Sequence, residues 1–352
     1  MLDLSFYKGK KVFVTGHNGF KGSWLCRILL QCGAEIAGYS LAVPDSTNLY
    51  ELADINENIT AFCGDIRDYE NLKKAFDSFS PEIVFHLAAQ PIVREGYDNP
   101  KYTYETNVMG TVNLLECIRT SEGVRSVVNV TTDKVYQNNE WEWGYRENEA
   151  LNGFDPYSNS KSCSELVTHS YKNSFFSNRK DISVSTARAG NVIGGGDFAK
   201  DRIIPDCIKS AIKKEVIHIR NPKSIRPYQH VIEPLAAYMM IAAKQYEDGC
   251  YAGCYNVGPN MEDCVTTGTL TELFCTHWGG NMSWEAAPQP NAVHEANFLK
   301  LDCSKLMHTF GWSPRWNIND AVEKTVEWSK NWIDGGDIPK CMDSQIREYF
   351  QR

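Results

Sequence analysis

No stretch of this chain is apolar for long enough to span a bilayer. Its first residues, MLDLSFYKGKKV, hold no apolar run of the kind that directs secretion. Positive charge is not in excess either. The 44 acidic residues outnumber the 36 basic ones, and the net charge is −8. No broad field therefore attracts a nucleic-acid backbone, and neither a nucleic-acid nor a membrane partner is expected. The 12 cysteines include no C-x-x-C pair; Cys250 and Cys254 stand nearest, without ligand-spaced partners around them. That spacing disfavours a structural zinc or any other metal, and a disulfide framework. It fits reduced, mostly buried thiols in a cytoplasmic protein. In that compartment the sequons at Asn58 and Asn129 carry no sugar. Internal repeats, heptads and low-complexity tracts are missing as well. What is present is ordinary globular material, 42% hydrophobic and 23% charged over 352 residues. That length suits one large or two joined domains.

The most informative stretch is residues 12–25, VFVTGHNGFKGSWL. A short apolar run reads as a strand, breaks at Gly16, and gives way to an amphipathic helix. Gly16, Gly19 and Gly22 fall at three-residue steps. Such a turn lets a pyrophosphate approach the backbone: Gly16 permits the bend, Gly19 has no Cβ to hold phosphates off, and Gly22 allows close helix–sheet packing. The spacing is G-x-x-G-x-x-G rather than G-x-G-x-x-G. Three glycines alone would mark any turn; the flanking strand and helix make them a candidate dinucleotide site.

Strand-like and helix-like segments then alternate. Strands are expected over 11–15, 35–40, 59–63, 83–87, 125–131 and 182–187, and helices over 20–32, 69–79, 102–121 and 155–178. Alternation at this spacing indicates βαβ units, an α/β fold with a Rossmann-type, doubly wound parallel sheet. Ligands of such sheets sit at the carboxyl ends of the strands. Past Asn191 the alternation loosens. Gly194, Gly195 and Gly196 read as a flexible hinge. Helices over 203–214, 234–246 and 269–278 are divided by proline-rich loops such as the one at Pro288 and Pro290. We expect a dinucleotide-binding domain over 1–190, with return segments near 230–260 that include a strand at 254–257. A smaller, interleaved, mixed lobe over 191–352 would bind substrate.

Tyr157 and Lys161 form Y-x-x-x-K at the start of a helix, so both side chains lie on one face. A phenol near ~10 is a poor base at neutral pH. An ammonium ~4 Å away, at an effective dielectric of ~20, contributes about 4 kcal/mol, or ~3 pK units. Lys161 could thus make Tyr157 a usable base. In isolation the pair would more often be a surface Tyr beside a Lys; it gains weight by following the glycine turn and four βα units.

Taken together, TGHNGFKGSWL, HLAAQPIV, TNVMGT, TTDKVY, DPYSNSKSCSE and RAGNVIGGGD resemble the extended short-chain dehydrogenase/reductases. Within them the chain is most similar to the nucleotide-sugar 4,6-dehydratase branch acting on CDP-glucose. The likeness covers nearly the whole chain. It implies NAD as cofactor, held by Gly16, Gly19, Phe20 and Gly22, with Asp65 and Ile66 near the adenine. Ala88, Ala89 and Gln90 would line the cofactor and Asn107 support the active-site end of the sheet. Tyr157 and Lys161 would also meet the nicotinamide end. The resemblance further implies that Thr132 hydrogen-bonds the reacting hydroxyl, that Tyr157 is the base at C4, and that Asp133 protonates the departing C6 hydroxyl. Hydride would leave C4 for NAD, water would be lost across C5 and C6, and the hydride would return to C6. The product would be CDP-4-keto-6-deoxyglucose, a precursor of deoxy sugars in surface polysaccharides. A homodimer or dimer of dimers built on the 102–121 and 155–178 helices is also implied.

Several departures stand out. Related dTDP-glucose enzymes carry Asp-Glu where this chain has Asp133-Lys134. A lysine base must be neutral and an aspartic acid protonated, whereas water favours the ion pair by ~6.5 pK units. Either the site is dry enough for a neutral Lys134, or a cationic Lys134 stabilises the enolate while another base takes the C5 proton. Where dinucleotide folds often place an acid after the second strand, this chain reads Gly38-Tyr39-Ser40. No Arg is there to neutralise a 2′-phosphate, which favours NAD, though NADP is not strictly shut out. Arg226 of IRPYQHV stands where a pyrophosphate-binding Arg is expected, since a guanidinium fork suits phosphate. Asn191 and Arg202 resemble positions near the nucleotide. Arg94 is set beside Glu95 instead of a second Arg. His230 reads as a packed core residue. A 4-epimerase of the same family is the nearest alternative, and Asp133 argues against it because an epimerase eliminates no water. A non-catalytic dinucleotide sensor would not need Tyr157, Lys161 and Thr132 together.

Overall fold

A computed structural model describes residues 2–43, 45–200, 202–287 and 298–351. Seven strands form one parallel sheet: β1 Lys11–Thr15, β2 Glu35–Ser40, β3 Thr60–Cys63, β4 Ile83–His86, β5 Ser126–Val130, β6 Ser183–Ala189 and β7 Cys254–Val257. Their spatial order is β7-β6-β5-β4-β1-β2-β3, so β1 pairs with β2 on one side and β4 on the other. The winding reverses between β1 and β4, where such sheets open a crevice at their carboxyl edge. β1, β4 and β5 are nearly continuous apolar runs because helices cover both faces. Successive side chains go to opposite cores. Val12 and Val14 pack with Trp24, Leu29, Leu235 and Tyr238, whereas Phe13 packs with Leu72, Phe76, Leu114 and Ile118.

The expected α/β architecture is present, with differences of detail. The helix expected over 102–121 is Pro100–Tyr104, a π-type turn Glu105–Met109, and Gly110–Arg119. The one expected over 155–178 is Pro156–Tyr171 continued by a π-type turn, Lys172–Phe176. Helices Val93–Asp98, Ser304–Phe310, Ile318–Ile333 and Ile338–Gln351 had not been foreseen. A separate core gathers Ile193, Ile204, Cys207, Leu270, Phe274, Val322 and Val326. Helix Ile232–Glu247 instead lies on the sheet, with Leu235, Tyr238 and Ile241 in the first core. The final helix joins that core through Met342, Ile346 and Tyr349, and Asp343 ion-pairs with Arg27 at 2.6 Å.

Gly194, Gly195 and Gly196 are not a hinge. All three are buried, and a Cβ at Gly195 would lie 2.0 Å from the Trp328 ring. Gly195 lets the chain pass beneath an indole, while Gly194 and Gly196 pack against Val231 and Leu49. The loop at Pro288 and Pro290 lies outside the described residues. His230 is a core residue, wedged between the rings of Trp24 and Trp316, where burial lowers its imidazole to about 3. All twelve cysteines are free thiols, two of them exposed, Cys63 and Cys250. Among the described residues no helix is long and apolar enough to cross a membrane.

Candidate active site

A cleft of about 550 Å³ opens over the carboxyl ends of the central strands. The glycine turn forms one end. Gly16 has φ +73°, and a Cβ there would come 2.7 Å from the Ala88 nitrogen. A Cβ at Gly22 would meet the Gly16 carbonyl oxygen at 2.1 Å. No side chain caps the helix that starts after Gly19. Its first amides are thus free for an anion, and the helix dipole favours one there. Phe20, Asp65, Ile66, Ala88 and Ala89 line the same end. Residues and cradle fit a dinucleotide pyrophosphate.

Two expected cofactor residues stand behind the wall instead of in it. Asn107 accepts from the Gln90 amide at 2.8 Å and donates to the Gln90 carbonyl and to Ser160. The Gln90 side chain donates to Thr103 and accepts from Ile92 N–H. Both are buried braces that fix the loop after β4. Asp65 lines the cleft, but its carboxylate is forked onto Arg67, at 2.6 Å for the shortest contact, and the Arg67 guanidinium holds it below the usual range. At the end of β2, Ser40 hydrogen-bonds His17 Nδ1 at 3.0 Å. Burial lowers His17 to about 4, so the ring is neutral.

The reacting end is built by the loop after β5 and by helix Pro156–Tyr171. That helix is fixed by Asp155, whose carboxylate accepts from Ser158 N–H at 3.0 Å and from the Ser158 hydroxyl, and by Pro156 in its first turn. Tyr157 and Lys161 consequently face the cleft. Thr132 donates to Asp133 Oδ1 at 3.0 Å. The Tyr157 phenol is near enough to the same hydroxyl and to Asp133 to feel both. Tyr157, Thr132 and Asp133 are therefore one contiguous group.

Asp133 is buried, and burial raises its carboxyl above the ordinary aspartate value against the pull of Lys134, Thr132, Arg226 and Lys21. Its Oδ2 is buried with no hydrogen-bond partner among the described residues. A Cβ on Gly190 would lie 3.3 Å from that oxygen. A protonated Oδ2 is a donor in reserve.

The phenol departs from expectation. Burial pushes Tyr157 up to about 12, and Thr132 and Arg202 only partly counter it. Lys161 is itself lowered to about 8, again by burial, with Glu165 one turn away opposing the loss of its charge. Its ammonium donates to the Val130 carbonyl at 3.1 Å. Desolvation thus outweighs the i, i+4 attraction, and Lys161 alone does not bring Tyr157 near neutrality. Lys134 lines the cleft but is only half-buried. It retains water contact, unlike the dry amine that a neutral lysine base requires.

On the far wall stand Arg94, Asn191, Arg202 and Arg226. Arg202 ion-pairs with buried Asp197 at 3.0 Å. Arg226 is buried and donates to the Ile225 carbonyl. Asn191 accepts from Gln229 N–H through its carbonyl. Lining residues not foreseen include Lys21, Asp197, Arg220, Ser224 and Tyr228. Lys21 had a visible signal, since it lies inside the glycine motif. Behind the reacting end, buried Glu165 pairs with Arg188 at 2.9 Å and accepts from Thr131 and Thr186. Arg188 also reaches Tyr136, whose phenol donates to Asn256.

The family model for GDP-mannose 4,6 dehydratase matches residues 13–325. CDP-glucose 4,6-dehydratase of Salmonella typhimurium is 48% identical over 355 residues, covering 99% of each chain. Among solved structures, dTDP-glucose 4,6-dehydratase of Bacillus anthracis in complex with NAD superimposes with TM-score 0.78. It is 21% identical and covers 93% of this chain and 99% of its own. UDP-glucose 4-epimerase of Thermus thermophilus in complex with NAD superimposes with TM-score 0.76, at 25% identity, over 91% and 99%.

Proposed function

The chain belongs to the GDP-mannose 4,6-dehydratase family, and from that premise we propose that it converts CDP-glucose to CDP-4-keto-6-deoxyglucose and water, using NAD. The observation that carries this reading is the Tyr157–Thr132–Asp133 group, in which a potential base and a buried carboxyl raised above its ordinary range share one cleft with a pyrophosphate cradle. NAD, held by the glycine turn and the first amides of helix Phe20–Gln31, would supply a hydride acceptor for C4 and, once reduced, the hydride donor for C6.

The chain's own residues do the proton work. The glycine turn and the free amides at the start of helix Phe20–Gln31 hold the pyrophosphate of the cofactor. Thr132 orients the C4 hydroxyl and Tyr157 takes its proton, assisted by cationic charge beside a phenol that burial alone makes too weak an acid. The C4 ketone acidifies the C5 proton. Asp133 gives a proton from Oδ2 to the leaving C6 hydroxyl, a role that burial favours by raising its carboxyl. Half-hydrated Lys134 serves best as a cation that stabilises the enolate, while another base takes the C5 proton and a proton returns to C5 as the hydride adds to C6. Arg226 and Arg202, with Arg94 and Asn191, hold the nucleotide diphosphate. Asp133 favours this reading over a 4-epimerase.

Residues 1–190, with the return segments near 230–260, serve as the cofactor domain, and 191–352 as the interleaved substrate domain. Exposed Met109, Leu166 and Phe175 on the two long helical segments support a homodimer through that face, in the cytoplasm. The test is incubation with CDP-glucose or dTDP-glucose, with and without NAD, followed by the alkali-induced chromophore of a 4-keto sugar. Keto product from CDP-glucose is expected. No keto product from either would overturn the reading.

A further inference from the structure

The loop that carries Thr132 and Asp133 is anchored at both ends to one buried ion pair. Its first residue, Thr131, follows β5. The Thr131 hydroxyl donates to Glu165 Oε1, and its N–H donates to the Ala187 carbonyl at 2.9 Å. The last residue, Tyr136, accepts from the Arg188 guanidinium at 2.9 Å and donates to Asn256 of β7 at 2.6 Å. Glu165 and Arg188 meet at 2.9 Å, with side chains only 2% and 3% exposed. The Glu165 oxygen that meets Arg188 also accepts from Thr186 of β6 at 2.7 Å. Between the two anchors Thr132, Asp133 and Lys134 line the cleft. Glu165 also continues a stripe: Tyr157, Lys161 and Glu165 follow at four-residue steps on helix Pro156–Tyr171, so they share a face. Arg188 lies on β6. The pair therefore ties the helix that presents the phenol to the strands and loop that present the hydroxyl and the carboxyl. Ser162 of the same helix adds a bond to the Val135 carbonyl at 2.7 Å.

Stability alone does not account for a charge pair at this depth. Taking both ions out of water costs about what their attraction returns, and apolar side chains of similar volume often hold a core as well or better. Apolar side chains cannot, however, fix Thr131 and Tyr136 by direction. On the reading that the cleft dehydrates a nucleotide sugar, we infer that Glu165 and Arg188 are positioning residues of that reaction. They set the 131–136 loop against helix Pro156–Tyr171, and with it the separation of the Asp133 acid from the Tyr157 base. Neither touches the reacting atoms. A displacement of ~1 Å at either group costs roughly 10² in rate.

The experiment compares thermal melts and keto-sugar formation from CDP-glucose for the full-length wild type, for Glu165→Leu combined with Arg188→Met, and for Glu165→Gln. The double variant removes both charges and should melt at or above the wild-type temperature. Glu165→Gln keeps an acceptor for Arg188 and Thr186 and turns a donor to Thr131, whose hydroxyl has the Ala187 carbonyl 3.4 Å away as a second acceptor. It leaves the guanidinium without a counter-charge and should melt lower. Activity should run opposite to stability. The double variant should lose about 10² in kcat with KM changed less than about threefold, while Glu165→Gln stays within about tenfold of the wild-type kcat. Activity that follows melting temperature, or wild-type kcat in the folded double variant, overturns the inference. Thr131→Val and Thr131→Ser make the comparison with the ion pair intact, should the double variant not fold. Val lacks the anchoring hydroxyl and should lose kcat at constant KM, whereas Ser keeps it; equal kcat in the two overturns the inference. A wild type that forms no keto product from CDP-glucose overturns the dehydratase reading itself, and this inference with it.

Discussion

Asp133→Asn separates the two halves of the reaction. Asparagine retains the size of Asp133 and an acceptor oxygen for the Thr132 hydroxyl, now 3.0 Å away, so the neighbouring hydroxyls stay in place. The variant removes the acid that the mechanism places on the unpartnered Oδ2. A positioned general acid contributes roughly 10²–10⁴ in rate, or about 3–5 kcal/mol of barrier. C4 oxidation does not use that proton. Mixed with CDP-glucose, the variant should still form reduced cofactor, seen by its absorbance, while the 4-keto-6-deoxy product forms ~10²–10⁴-fold more slowly. Stability supplies a second readout. Burial raises the folded carboxyl above its unfolded value, so above the ordinary aspartate range the unfolded state is favoured by releasing that proton. Asparagine is free of this penalty. The variant should therefore melt higher than wild type at neutral pH, and the gap should close as pH falls toward ~4. Near wild-type turnover would refute the role of Asp133, as would equal slowing of C4 oxidation and elimination.

The remaining expectations concern neighbouring parts of the site. Tyr157→Phe should abolish the appearance of reduced cofactor, with turnover lowered by ~10²–10⁴ and substrate binding retained; formation of reduced cofactor at the wild-type rate would exclude Tyr157 as the C4 base. Lys134→Met should slow exchange of the C5 proton with solvent and change its pH dependence, and wild-type exchange would remove Lys134 from both proposed roles. Gly16→Ala, at φ +73° and against the Ala88 backbone, should lose about 1–3 kcal/mol of stability and weaken NAD binding, measured by thermal melts and calorimetry. Arg188→Met strands the Glu165 carboxylate at 2% side-chain exposure and should lower stability by about 3–5 kcal/mol in denaturant titrations.

The sheet was legible because strand and helix periods alternate cleanly from β1 to β6, and because parallel order follows from the helical crossovers. Pattern alone did not reveal the π-type turn at Glu105–Met109, where the Gly110 N–H reaches back five residues to the Glu105 carbonyl and departs from the 3.6-residue period. It also did not reveal that Gly195 lies beneath Trp328, a residue more than a hundred positions away. Within the site, spacing joined Tyr157 and Lys161 on one helical face, and the family resemblance, not spacing, added Thr132 and Asp133. Which side of the loop wall Gln90 and Asn107 occupy depends on buried partners, Thr103 and Ser160, that no local spacing reports. The Tyr157 phenol rises rather than falls because desolvation depends on the packed site and not on the Lys161 interval. Lys21 was visible as a charge inside the glycine motif, but its place in the cleft wall needed the fold.

The central claim, one hexose oxidised, dehydrated and reduced by a single hydride that never leaves the site, is tested most directly with CDP-glucose carrying deuterium at C4. The account predicts 4-keto-6-deoxy product with that deuterium on C6 of the same molecule, even when unlabelled NADH is present in the medium. Product carrying hydrogen from the medium's NADH at C6, or deuterium passed between substrate molecules, would contradict it.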